Sequence, residues 1–222
     1  MEALNLVQQL SVLVIPVLLA ITVHEAAHGW AAKRLGDPTA HMLGRVSLNP
    51  LRHIDPVGTL LVPLVGYWLS GFLFGWAKPV PINPRNLRQP RRDEALVALA
   101  GPGANLIMAI LWSLTIEAGR LAWPVSEWIA LPLIYTGAAG VVINSILLVI
   151  NLLPVLPLDG GRVLSFLLPA PLARPFRLLE PYGFVIIILL LVTGVLSRVI
   201  SPLIAVLIDA LPNSDLVFQL FF

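Results

Sequence analysis

The sequence predicts an all-α polytopic membrane protein of about four spanning helices, one re-entrant segment and a small membrane-associated β element. Three observations carry this. Of 222 residues, 58% are hydrophobic and only 12% charged, and the mean hydropathy of +0.89 exceeds what a soluble core needs. The apolar residues gather in runs at 3–23, 56–77, 95–116, 128–158 and 181–197, most of them long enough to cross about 30 Å of hydrocarbon. Basic residues cluster in three places between the runs, leaving only Arg120 and Arg198 outside them: Lys33, Arg34, Arg45 and Arg52; then Lys78, Arg85, Arg88, Arg91 and Arg92; then Arg162, Arg174 and Arg177.

The first run lacks a basic leader and a small-residue cleavage site, so it reads as a retained helix rather than a removable signal. It leads directly into His24-Glu25-Ala26-Ala27-His28. Residues four apart share one helix face, so both imidazoles can reach one metal ion, and the intervening glutamate falls beside it as a general base. Such ionisable groups are costly in an apolar setting and normally face a protein interior with partners. A structural metal site would usually close its shell with four protein ligands, often cysteines. There is no cysteine here, and beyond the motif the only histidines are His41 and His53. An open shell with room for water is the better reading.

The positive-inside rule places all three basic clusters in the cytoplasm. That parity requires residues 56–77 to enter and leave on one side. Pro63 and the glycines at 58, 66, 71 and 75 suit a broken segment shielded by protein. The remaining four runs then span, with the N-terminus extracytoplasmic and the motif near the cytoplasmic face. The tail at 200–222 stays open between an interfacial helix and a fifth span. All 222 residues read as one membrane-embedded domain, with a core at about 10–170 and a C-terminal helical region at about 178–222. A net charge of +2 gives no reason to expect nucleic acid as a partner.

The fourth run ends in Asn151-Leu152-Leu153-Pro154-Val155-Leu156-Pro157-Leu158-Asp159-Gly160-Gly161-Arg162. The prolines stop the helix and the paired glycines permit a tight turn beside a lone carboxylate. Asp159 could simply cap the next helix. With the same-side topology it also arrives at the depth of the histidines, where a carboxylate is the missing hard-donor ligand. If residues 56–77 spanned, Asp159 would emerge on the opposite face.

These paired motifs resemble the site-2 protease (M50) family of intramembrane zinc metalloproteases. The stretches Gly44-Arg45-Val46-Ser47-Leu48-Asn49-Pro50, Gly75-Trp76-Ala77-Lys78-Pro79-Val80-Pro81-Ile82-Asn83-Pro84 and Ala100-Gly101-Pro102-Gly103-Ala104-Asn105 resemble its compact prokaryotic branch, without PDZ or CBS domains. The likeness runs from about residue 10 to 170. It implies one Zn²⁺ held by His24, His28 and Asp159, Glu25 as catalytic base and Asn151 near the reacting carbonyl. The implied activity is hydrolysis of peptide bonds in or near transmembrane segments of protein substrates, in a bacterial or archaeal cell membrane. The donor set alone would also suit cobalt or iron. A membrane metal-ion transporter and an inactive scaffold that grips transmembrane segments are the competing classes. The sequence leaves the substrate, the trigger and the oligomeric state unspecified.

Smaller expectations complete the reading. Strand-like patches at 41–49 and 76–83 could form a sheet whose edge accepts an extended substrate. Asn105 could orient a ligand or merely bond a neighbouring helix, and the second role is favoured for Thr22 and Asn144. His53 and Asp55 read as loop and turn residues, His41 as exposed, and residues 85–92 as an anchor to anionic headgroups.

Overall fold

Three long helices frame the molecule, and the computed structural model describes residues 5–61 and 77–222. The first, α1 (Leu6–Leu35), starts at a reciprocal cap: the Asn5 side chain accepts from the Gln8 amide at 2.9 Å, and the Gln8 side chain accepts from the Asn5 amide at 3.0 Å. It ends at Gly36, whose φ of 114° lies in the left-handed region that glycine enters without a Cβ penalty. A short helix, α2 (Thr39–Met42), follows. The second long helix, α3 (Pro90–Ala122), opens with proline where no amide partner is needed, and Asp93 accepts the Gln89 amide at 2.8 Å. The third, α4 (Glu127–Asn151), returns antiparallel and stops just before Pro154.

Small residues let α3 and α4 touch. A Cβ on Gly137 would lie 2.8 Å from the Ile116 side chain, and one on Gly140 would lie 2.2 Å from the Trp112 ring. In lipid, where burial of apolar surface gives little drive, such close backbone packing is what holds helices together. The remaining chain forms α5 (Asp159–Leu167), α6 (Ala170–Arg177), α7 (Gly183–Val192), α8 (Val195–Asp209) and α9 (Ser214–Phe221). Ile204, Ile208 and Val217 from the last two, with Leu211 between them, pack with Ile116, Ile134 and Val141 in one apolar cluster. Asn213, at φ 61°, ties that corner to α3 by accepting from Arg120 at 2.6 Å.

By length and composition, α1, α3 and α4 can each cross a membrane, and their outward faces stay apolar: Ile107 is 61% and Leu121 72% exposed. The fourth expected span, residues 181–197, is not one helix. Gly194, at φ 70°, breaks it, and the ten residues of α7 reach only about 15 Å. Among the described residues, a fourth crossing exists only if α6 and the helical residues Glu180–Val192 act together as one span bent by 41°. Within the tail, α8 has fifteen residues and α9 eight, so neither is a span by itself.

The chain between α1 and α3 leaves and returns at one end of the bundle. The Arg88 amide donates to Leu35 O at 3.0 Å, and the Asn83 amide donates to the Asp37 carboxylate at 2.6 Å. The re-entrant expectation itself falls mainly on residues 62–76, outside the described residues. At its start, Asp55 accepts from the Val57 and Gly58 amides at 2.9 and 2.7 Å, the turn-starting role expected of it.

The expected sheet is not found: no strand occurs among the described residues. Residues 77–83 run alongside residue 45 without secondary structure. Pro79 and Pro81 remove alternate amides from any ladder, and the link is a side chain instead, with the Arg45 guanidinium donating to Lys78 O at 2.6 Å.

Asp37 fastens this junction. Its buried carboxylate accepts from the Thr39 amide and hydroxyl, the Asn83 amide and the Asn86 side chain. Burial pushes its pKa up, but those hydrogen bonds outweigh it and hold the group below the ordinary carboxylate value. Asp37→Ala should therefore destabilise the protein by about 2 kcal/mol at neutral pH. Since the folded-state pKa is the lower one, this contribution is full above about pH 4 and fades as pH falls further. Melting curves of both proteins against pH should converge in acid; a constant gap would contradict the assignment.

Candidate metal centre

Helix α1 sets His24 and His28 one turn apart, and each ring is held by its outer nitrogen. His24 Nδ1 lies 2.5 Å from Asn105 Oδ1, and His28 Nδ1 lies 2.7 Å from Val97 O. The orientation of the Asn105 amide is fixed independently. Its Nδ2 donates to Asn144 Oδ1 at 2.9 Å, and Asn144 Nδ2 donates to Gly140 O at 2.8 Å. Oxygens therefore face both Nδ1 atoms, so each Nδ1 carries its ring's proton.

What remains is a convergence of lone pairs. The two Nε2 atoms stand 3.0 Å apart, and Asp159 Oδ2 lies 3.3 Å from each. None of the three has a proton to share, and Oδ2 is buried without a hydrogen-bond partner. His24, His28 and Asp159 are 7%, 7% and 9% exposed, so water does not relieve the repulsion. A cation does. Zinc bonds of about 2.0–2.1 Å in a tetrahedral shell put ligand atoms about 3.3–3.4 Å apart, close to the spacings seen.

Three glycines make the convergence possible. A Cβ on Gly101 would sit 2.4 Å from His28 Nε2 and 2.6 Å from His24 Cε1, so α3 can cross the imidazoles only there. Cβ atoms on Gly160 and Gly161 would strike the backbone of Leu152 at 2.2 Å and Leu156 at 2.5 Å. Their absence lets α5 begin folded back over the end of α4, which delivers Asp159 at its first residue.

A cavity of about 230 Å³ opens beside these atoms, lined by His24, Glu25, His28, Asn151, Asp159 and Arg162 among others. Every residue singled out from the sequence as metal ligand or catalyst thus meets in one space. Glu25 Oε2 accepts from the Val80 amide at 2.8 Å, so the segment at 77–83 positions this carboxylate without a ladder. Asn151 donates to Leu147 O at 2.9 Å, using one of its two amide hydrogens. His53 is elsewhere engaged, its Nε2 lying 2.8 Å from Ser47 O, and His41 is exposed on α2.

Of the other residues at the site, the sequence offered only Asn105 as one that could orient a ligand. Asn105 and Asn144 form a relay to His24, although the sequence favoured a merely structural Asn144. Gly101, Val80 and Arg162 were visible only as members of motifs or clusters, and Glu94 carried no signal at all. The nearest signal was an asparagine at helical spacing from a glycine, Gly101 and Asn105, on one face of α3.

Fold and site together define a polytopic helical membrane protein with a buried His/His/Asp group able to hold a metal ion. A Bacillus subtilis protein named "Putative zinc metalloprotease YwhC" is 36% identical over 192 residues, covering 86% of this chain and 84% of that protein. Two proteins named "Putative zinc metalloprotease Rip2" are also similar. The one from Mycolicibacterium smegmatis is 31% identical over 82% of this chain, and the one from Mycobacterium tuberculosis 29% over 81%. The alignments span 66% of each Rip2 protein. No family model and no solved structure matches the chain. The chain belongs to the zinc metalloprotease family of YwhC.

Two outcomes test the site. Gly101→Ala should abolish stoichiometric zinc binding, read by metal analysis of the purified protein, while circular dichroism keeps its helical signal; full zinc occupancy would refute the close approach. Asn105→Ala should weaken zinc affinity about 10- to 100-fold by freeing the His24 ring. An unchanged affinity in competition with a chelator would show that the amide does not orient the ligand.

Proposed function

We propose that this metalloprotease is of the site-2 protease type, cutting peptide bonds in or near transmembrane segments of membrane-protein substrates. The observation that carries the proposal is the single cavity in which Glu25 and Asn151 line the same space as His24, His28 and Asp159. The cavity lies beside spanning helices α1 and α3, about 27 Å along α1 from its first residue. A substrate entering there comes from the plane of the bilayer.

His24, His28 and Asp159 would hold the zinc. When bound, the zinc supplies a Lewis acid that makes water nucleophilic near neutral pH. Glu25 takes the proton from the attacking water and returns it to the leaving amine. The Val80 amide holds one oxygen of Glu25, and Oε1 has no protein partner among the described residues. Asn151 offers its remaining amide hydrogen to the carbonyl oxygen as negative charge develops. A helical substrate must unwind before its carbonyl is accessible. Pro79, Val80 and Ile82 border the cavity in a segment without regular secondary structure, the wall an unwound segment would run along.

The basic clusters put this end of the bundle, and so the site, toward the cytoplasm, with the N-terminus outside. No observation among the described residues favours the transporter. An inactive scaffold would have no use for a glutamate held in the cavity.

Glu25→Gln, reconstituted with single-span substrates, should keep stoichiometric zinc yet lose cleavage by about 10²- to 10⁴-fold. A zinc-loaded mutant that cuts like the wild type would remove Glu25 as the base.

A further inference from the structure

A second cavity, of about 320 Å³, lies at the same end of the bundle and shares Glu94 with the first. Its wall brings Arg91 at the start of α3 together with Arg174 and Arg177 on α6, around Ser165. Three guanidinium groups thus line a cavity with one carboxylate, Glu94, which lies 2.9 Å from Arg177 and 3.9 Å from Arg162. The cavity holds surplus positive charge and surplus donors, each guanidinium having five N–H groups.

Two of the arginines are fixed by the fold. Arg91 donates to Phe166 O and Leu168 O at the end of α5, and Arg177 donates to Ser165 Oγ at 2.6 Å and to Glu94 at 2.9 Å. Arg174 is exposed and makes no hydrogen bond or ion pair among the described residues. On α6 it shares a face with Arg177, three residues on, while Leu172 and Phe176 lie on the other side. Leu167 and Leu178, close in the chain to the lining residues Ser165 and Arg177, are 68% and 74% exposed. Arg91 lies about 15 Å along α3 from Gly101, at the end of a spanning helix where headgroups sit.

We propose that this cavity binds the phosphate of an anionic phospholipid headgroup, with the exposed Leu167 and Leu178 against its acyl chains. Planar guanidinium groups pair with phosphate oxygens in two-pronged hydrogen bonds, and fixed ones lose little freedom in doing so. The exposed leucines favour a lipid over free phosphate. The inference rests on the membrane placement of the chain and not on its peptidase chemistry.

Native mass spectrometry of the detergent-purified protein, titrated with phosphatidylglycerol or phosphatidylcholine, reads lipid occupancy without any cleavage. Its failure would therefore leave the peptidase reading standing, and an inactive peptidase would leave this one standing. Phosphatidylglycerol should bind more tightly than phosphatidylcholine. Arg174→Gln, which breaks no contact of the fold, should keep the melting temperature and weaken phosphatidylglycerol binding about tenfold. Arg85→Gln, which removes the same charge outside the cavity, should change it less than about twofold, and millimolar inorganic phosphate should displace the lipid. Equal losses in the two variants, or none in Arg174→Gln, would reduce the effect to general surface charge and overturn the proposal. Tighter binding of inorganic phosphate than of lipid would overturn the lipid as occupant.

Discussion

Three lone pairs that face one another without a proton between them are the constraint on which this molecule turns. Buried atoms of this kind repel, and a fold brings them together only where something positive compensates. Asn105 and Val97 take the imidazole protons on the far side of each ring. That choice turns two histidines and an aspartate from an ordinary ionic cluster into a group able to hold a metal ion. The relay from Gly140 through Asn144 and Asn105 to His24 ties the choice to the α3–α4 contact, which itself depends on glycines.

The sequence disclosed the chemistry more readily than its support. Histidines at one-turn spacing with a glutamate between them leave few readings once they follow an apolar run, and the lone carboxylate before Gly160-Gly161, by itself a plausible helix cap, gained a ligand reading from arriving at their depth. Support residues carry no such signature. An asparagine in an apolar helix can bond any neighbour, and its partner depends on a crossing point that periodicity does not reveal. Gly101 matters because two rings pass over it, a fact of packing between α1 and α3 and not of local sequence. Hydropathy misjudged residues 181–197 because it counts apolar residues and cannot see a left-handed glycine dividing them. The sheet failed for a local reason: Pro79 and Pro81 leave too few amides for a ladder, so the same residues serve Glu25 through the single amide between them.

Position follows from that one end of the bundle. α1 finishes there, α3 begins there and α4 delivers the loop that turns back with Asp159. The Leu35–Arg88 and Asp37–Asn83 bonds close the same end from the other side. Apolar flanks and a polar end thus arise from one arrangement, in which the costly groups are collected where protein surrounds them and the long outward faces are left to lipid.

The most direct measurement is X-ray absorption at the zinc edge on the purified protein, compared with Asp159→Ala. The account predicts one zinc per chain with two imidazole nitrogens, the remaining donors light atoms at about 2.0–2.2 Å and no sulfur, and loss of that zinc when the carboxylate is removed. A full complement of zinc with an unchanged imidazole and oxygen shell in Asp159→Ala would contradict it.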